Sequence, residues 1–177
     1  IKDIDHFWSL RPSRLLNTLK RKKEKLNQVG GYKIEVTHAS NENQLKRFLA
    51  DYHSVYYDSW KIIESHPAFI DAIATYAWNK NELRLGIAWH NDLPVAAQIW
   101  FVNGETAYIF KLAHRTNYST QSIGSILTER MFEHVICEDK VTCIDFLTGD
   151  DNYKKDWMQS SRPLYRLEVM NPHTVYG

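Results

Sequence analysis

The chain has 177 residues, Lys+Arg 22 against Asp+Glu 21, and 44% hydrophobic, 13% aromatic and 24% charged content. That length suits one domain, large enough to fold without disulfide or metal staples. A formal net charge of +1 excludes a histone-like polycation.

The two cysteines, Cys137 and Cys143, are too few for a secreted disulfide framework, and CxxC or Cys/His zinc spacings are absent. A reducing, cytoplasmic setting and no metal are the expectations. No apolar run approaches the ~18 residues of a membrane span.

Charge is unevenly spread. Residues 1–33 hold nine Lys/Arg against three Asp/Glu, a local +6, and the rest of the chain carries −5. A helix is expected from about Ser13 to Val29, with Ser13 as N-cap and Gly30-Gly31 as stop signal. Leu15, Leu16, Leu19 and Leu26 give it one apolar side, and Lys20–Lys25 crowd the others. Tyr32–Thr37 alternates as a half-buried strand. Asn41 or Asn43 caps a helix to about Trp60 with Leu45, Phe48, Leu49, Tyr52, Val55 and Tyr56 on one stripe. Pro67 opens another, ending at Asn79.

Leu83–Trp89, Leu93–Val102 and Thr106–Ala113 then read as an antiparallel meander. A helix follows from Ser122 to about Glu138, then a buried strand Thr142–Leu147, a polar segment with a short helix, and a strand Leu164–Met170. The helix crossing from Ala113 to Thr142 implies that its flanking strands run parallel. An open α/β sheet binds ligands at such a strand-to-helix junction.

That junction is the most informative stretch, Asn117-Tyr-Ser-Thr-Gln-Ser-Ile-Gly-Ser-Ile-Leu-Thr. Amides of Ser122–Ser125 at the positive end of a helix dipole can hold a phosphate without a lysine. The alternative is an ordinary N-cap by Thr120 or Ser122, with Gly124 permitting close helix–sheet packing.

Gln121-Ser-Ile-Gly124 resembles the Q/R-x-x-G-x-G/A loop of the GNAT acyltransferase superfamily, with Ile126 where that pattern usually has Gly or Ala. The element order from Tyr32 onward is similar too. Leu83–Phe101, Ser122–Leu127 and Ile144-Asp-Phe-Leu-Thr-Gly-Asp-Asp-Asn-Tyr-Lys-Lys-Asp-Trp are similar to the CelD/BioF2-like acyltransferase domain. Such domains are related to Fem-type aminoacyltransferases, and Arg11–Lys22 resembles the basic helix before the second fold of those enzymes. A chain opening at Ile1 then fits the C-terminal half of a longer protein.

The resemblance implies an α/β GNAT fold, a mixed and mostly antiparallel sheet flanked by helices, with residues 1–31 as a lead-in helix and 32–177 as the GNAT-like domain. It implies acyl transfer from acetyl-CoA or another acyl-CoA to an amine or hydroxyl of a small-molecule, glycan or peptide acceptor, in cell-envelope or polysaccharide metabolism. The loop Gln121, Ser122, Ile123, Gly124 and Ser125 would hold the pyrophosphate, and the main chain of Lys111, Leu112, Ala113 and His114 would pair with pantetheine.

Acyl transfer needs a deprotonated nucleophile and a stabilised oxyanion. Asp145, in an apolar strand, either takes a partner or has a raised pKa suited to a base. Lys154, matching a lysine of the Fem-type enzymes, either lies over the reacting carbonyl or is solvated beside Lys155. Gln98 and Tyr153 are candidate substrate contacts, their alternatives being a satisfied core amide and simple packing. Cys137 and Cys143 read as small core residues. Two rival functions keep the fold: an aminoacyl-tRNA-dependent transferase with Lys20–Lys25 on the RNA, and a non-catalytic binding module.

Overall fold

The structure, a computed structural model, describes residues 1–62 and 64–169. Asp3 opens helix α1 (Ile4–Ser9) by accepting from the His6 amide at 2.7 Å. This helix is too short for periodicity to reveal. The basic helix α2 (Ser13–Val29) follows, with Pro12 rather than Ser13 at its N-cap and Gly30 and Gly31 at φ +73° and +75° ending it. Strand β1 (Tyr32–Thr37) leads to α3 (Glu42–Tyr57), where Asn41 caps by accepting from the Gln44 amide at 3.0 Å. Helix α4 (Pro67–Asn79) starts on its proline as expected.

The meander is present as β2 (Leu83–His90), β3 (Leu93–Asn103) and β4 (Thr106–His114). Asn91 and Asp92, both at positive φ, make the first tight turn. A short 3₁₀ turn (Thr116–Gln121) runs into α5 (Ile123–Cys137), followed by β5 (Cys143–Asp145) and α6 (Lys154–Trp157). The sheet order is β1-β2-β3-β4-β5, antiparallel except for the parallel β4–β5 pair.

Each face of the sheet has its own core. On one side α1, α2 and α5 bury Phe7, Leu15, Leu19, Leu26, Leu127, Met131 and Phe132 against the strands. On the other, α3 and α4 bury Phe48, Tyr52, Ile70 and Ala74. The lead-in residues thus share a core with α5: Phe7 stacks on Phe132 at 4.8 Å, and Trp157 lies on the same ring at 5.1 Å.

Three expectations are corrected. The strand Thr142–Leu147 is only three residues long, because the Asp145 carboxylate accepts the Leu147 amide at 2.7 Å and Leu147 turns to φ +56°. No strand forms over 164–169, the described part of Leu164–Met170. Leu164, Tyr165, Leu167 and Val169 stand exposed there, since the short β5 offers no ladder to extend. Cys143 is exposed rather than in the core, because Ile144 takes the inward side of β5, and Cys137 is half-buried.

Candidate active site

The sheet opens between β4 and β5. The two pair only through Thr106↔Cys143, Ala107↔Ile144 and Tyr108↔Asp145, after which β5 ends and β4 runs on to His114. Among the described residues no strand covers that edge of β4 from Ile109 to His114, so its main-chain groups face a wedge-shaped opening.

A bulge decides which side chains line the opening. Ile99 pairs with Lys111 but Trp100 with Ile109, leaving Phe110 as the extra residue. Strict alternation would send Lys111 to the face of Ile109. The bulge turns Lys111 instead towards α3 and α4, where its ammonium meets Glu64 at 2.7 Å and lies 5.9 Å from the centre of the Tyr56 ring.

Between α3 and α4, residues 58–62 and 64–66 cross this side of β4. Asp58 pins them by accepting from Arg115, and its main-chain oxygen accepts from the Thr116 amide and hydroxyl, both at 3.1 Å. Trp60 then lies over His114 at 4.3 Å between ring centres. Burial, and then the charge of Lys61, hold His114 below the usual imidazole pKa, so the ring is neutral at pH 7. Burial, then Lys111, likewise lowers the pKa of Lys61.

The α5 N-terminus closes one end of the opening. Ser122 sits in the left-handed region at φ +56°, and the first helical bond runs from the Ile126 amide to Ser122 at 3.1 Å. Among the described residues, no group of the protein accepts from the Ile123, Gly124 or Ser125 amides. A Cβ on Gly124 would come within 3.1 Å of His114 Nδ1, so the glycine permits the approach of ring and helix. Ile126 is buried in the core. The Gln121 side chain is turned away from the opening, contrary to its expected part in the loop: the Tyr32 hydroxyl on β1, at the other edge of the sheet, donates to its Oε1, and Tyr32 stacks on His90 at 4.3 Å.

The opposite wall is the 145–154 turn. The Lys154 ammonium donates to the carbonyls of Thr148 (2.6 Å), Phe146 and Gly149 (both 3.3 Å), with Asp151 at 3.5 Å. Asp145 is held by the Leu147 amide and by Arg162 at 3.5 Å. Tyr153 stands edge-on to Phe146, its hydroxyl pushed up to about 12 by burial and then by Asp151.

The structure therefore brings Lys111, Leu112, Ala113, His114, Ser122, Ile123, Gly124 and Ser125 around one opening, with Asp145, Tyr153 and Lys154 across from them. Gln98 lies apart. It is 2% exposed, donates to Thr128 Oγ1 at 2.7 Å and the Gly124 carbonyl at 3.2 Å, and accepts from Trp100 Nε1 at 2.8 Å. Trp60, Lys61 and Glu64 were not singled out by sequence reasoning. Their only signal is an aromatic and charged composition between two helices. Two further depressions, about 420 Å³ against α2 and 640 Å³ between α3 and α4, lie away from the opening and share none of its residues.

A parallel pair that parts beside a helix with unclaimed amides puts a ligand crevice at the carboxyl end of the strands in this α/β sheet. Residues 13–155 match the family model described as "Acetyltransferase (GNAT) domain", and the chain belongs to that family. The fold agrees with solved structures at low identity. A GNAT family acetyltransferase from Staphylococcus aureus superposes at TM-score 0.55 with 10% identity, covering 79% of this chain and 100% of that one. A ribosomal-protein-alanine N-acetyltransferase from Brucella melitensis gives 0.53, 11%, 78% and 99%. AAC(6')-Iy, solved with the bisubstrate analogue CoA-S-monomethyl-acetylneamine, gives 0.57, 6%, 80% and 100%. No curated protein matches the chain by sequence.

Among the described residues no helix is long and apolar enough to cross a membrane, and no group of three His, Cys, Asp or Glu is placed to hold a metal.

Proposed function

We propose that this domain transfers an acetyl or other acyl group from a coenzyme A thioester to an amine or hydroxyl acceptor in the cytoplasm. The observation that carries the reading is the uncovered edge of β4 leading directly to the Ile123, Gly124 and Ser125 amides. The donor set there fits the carrier: three amides at a helix N-terminus, no acidic side chain in the first turn, and the Lys22 ammonium bonded to the Thr120 carbonyl beside them. These amides would hold the diphosphate, and the main chain of Lys111–His114 the pantetheine arm. The bound thioester supplies an activated acyl carbon.

The protein's own contribution is positioning. His114 is neutral and its Nδ1 lies against Gly124, so the ring shapes the diphosphate end of the opening. Trp60 covers the ring and limits water around it. Asp145 and Lys154 are given positioning roles: each is engaged by its own turn, and together they hold the wall opposite β4.

The acyl-CoA donor is preferred over aminoacyl-tRNA because the basic helix spends much of its charge internally. Arg14 pairs with Asp156, Lys23 with Glu129, and Lys22 with the α5 loop. The CelD/BioF2-like placement, and an acceptor from envelope or polysaccharide metabolism, rest on the resemblance carried by Leu83–Phe101, Ser122–Leu127 and Ile144–Trp157.

Calorimetric titration with acetyl-CoA tests the reading. Binding is expected in the wild type. Gly124→Val, which puts branched carbon among the amides and against His114, is expected to weaken it at least tenfold while the protein stays folded. Equal binding by the variant overturns the assignment of these amides.

A further inference from the structure

Glu129 is the one charged side chain buried in α5, and it is 6% exposed. Its Oε1 accepts from the Lys23 ammonium of α2 at 2.7 Å. Its Oε2 is enclosed as well, yet has no hydrogen-bond partner among the described residues. An ionised carboxylate accepts at both oxygens, and a buried one left half paired is costly. The same residue lines the depression of about 420 Å³ against α2, a volume within the roughly 300–1,000 Å³ of small-molecule sites. Leu16, Lys20, Lys23 and Glu24 share one face of α2 and form its long wall. Leu19, buried in the core, and half-buried Trp8 of α1 add apolar surface. A buried acceptor without a donor thus lies in a cavity that has apolar walls and a charged rim.

We infer that this depression binds a small neutral molecule, which donates a hydroxyl or N–H to Glu129 Oε2 and lays an apolar body on Trp8, Leu16 and Leu19. Charge decides for a neutral ligand. Lys20 and Lys23 are balanced on these walls by Glu24 and Glu129. An ammonium would enter beside the Lys23 ammonium already on the same carboxylate, and an anion would meet the Glu129 charge. A neutral donor completes the carboxylate and leaves the ion pair with Lys23 intact. Water supplies a donor but no carbon surface, so a molecule with an apolar body gains what water cannot from Trp8 and the two leucines. The site shares no residue with the opening beside β4, and the inference does not depend on the reaction carried out there.

The test titrates the full chain with matched probes and follows the Trp8 indole N–H and the amides of Leu16, Lys23 and Glu129 by heteronuclear NMR. The pairs are benzyl alcohol against benzyl methyl ether, and indole against N-methylindole; benzylammonium and benzoate read the effect of charge. Benzyl alcohol and indole are expected to shift these four signals saturably. Each should bind at least tenfold more tightly than its methylated partner and than either charged probe. Glu129→Leu should bring the members of each pair within twofold of one another. Leu16→Trp fills the depression from an exposed position and should weaken every probe at least tenfold; it decides the matter if Glu129→Leu does not fold. The absence of saturable shifts, with water alone at Oε2, overturns the inference. So does equal binding by the methylated probes, tighter binding by a charged probe, a preference that survives Glu129→Leu, or a Leu16→Trp protein that binds as the wild type does.

Discussion

Replacing Gln98 by leucine separates a core role from a substrate contact. The side chain is 2% exposed and accepts from Trp100 Nε1, which is itself fully buried. Leucine of similar volume leaves that indole N–H without an acceptor, a penalty of about 1–3 kcal/mol. The bond to Thr128 adds about 1 kcal/mol, and burying leucine in place of an amide returns about 1–1.5 kcal/mol. The net loss is about 2 kcal/mol, or roughly 4–8 °C in Tm for a domain of this length. Urea unfolding measures it, and Trp100→Phe supplies the control. Phenylalanine needs no acceptor, so Gln98→Leu in that background should cost about 1 kcal/mol less. Acceptor KM should move less than threefold. An unchanged urea midpoint together with a tenfold rise in acceptor KM would refute the reasoning and return Gln98 to the substrate site.

Most of the helices and strands, α1 and the short β5 excepted, were legible because their signals are local. Pro67 at the start of α4, Gly30-Gly31 after α2 and Asn91-Asp92 between β2 and β3 each act within a few residues. The parallel β4–β5 pair was legible for a topological reason, since the α5 crossover leaves no other arrangement. The α5 amides followed from the same junction. The direction of Lys111 was not legible: it depends on the bulge at Phe110, a mismatch between two strands that leaves no pattern in either alone. Nor was the crossing by residues 58–62 and 64–66, where the apolar stripe of α3 suggested helix as far as Trp60. Asp58 instead accepts from Arg115 and Thr116, 57 and 58 residues away, and these contacts pull the chain across β4. Composition shows that Trp60, Lys61 and Glu64 are present there, whereas only the assembled sheet gives them something to cover.

Two further predictions concern the walls of the cleft. Burial lowers the pKa of His114, so the unfolded chain binds more protons than the folded one between that lowered value and about 6.5. Stability should therefore fall as pH drops through this window and be fully present above it. His134, lowered mainly by burial, contributes with the same sign. His114→Gln should flatten the stability profile between pH 7 and 5 only in part, as urea midpoints across that range would show; an unchanged slope excludes His114 as a contributor.

Lys154 poses the sharper question, because its ammonium serves either the turn or the reaction. Charge-assisted bonds contribute about 1.5–3 kcal/mol when dry, but the Thr148 and Gly149 carbonyls are exposed, which reduces the total to about 1–2 kcal/mol. Lys154→Met should lose that stability and loosen the 146–149 turn. Faster hydrogen exchange of its amides is the signature, with kcat falling less than tenfold because the wall shifts without losing a group in contact with the reacting atoms. A kcat loss above a hundredfold with exchange and Tm unchanged would show instead that the ammonium acts on the developing oxyanion, since only a group in contact with the reacting atoms removes that much rate without disturbing its own turn.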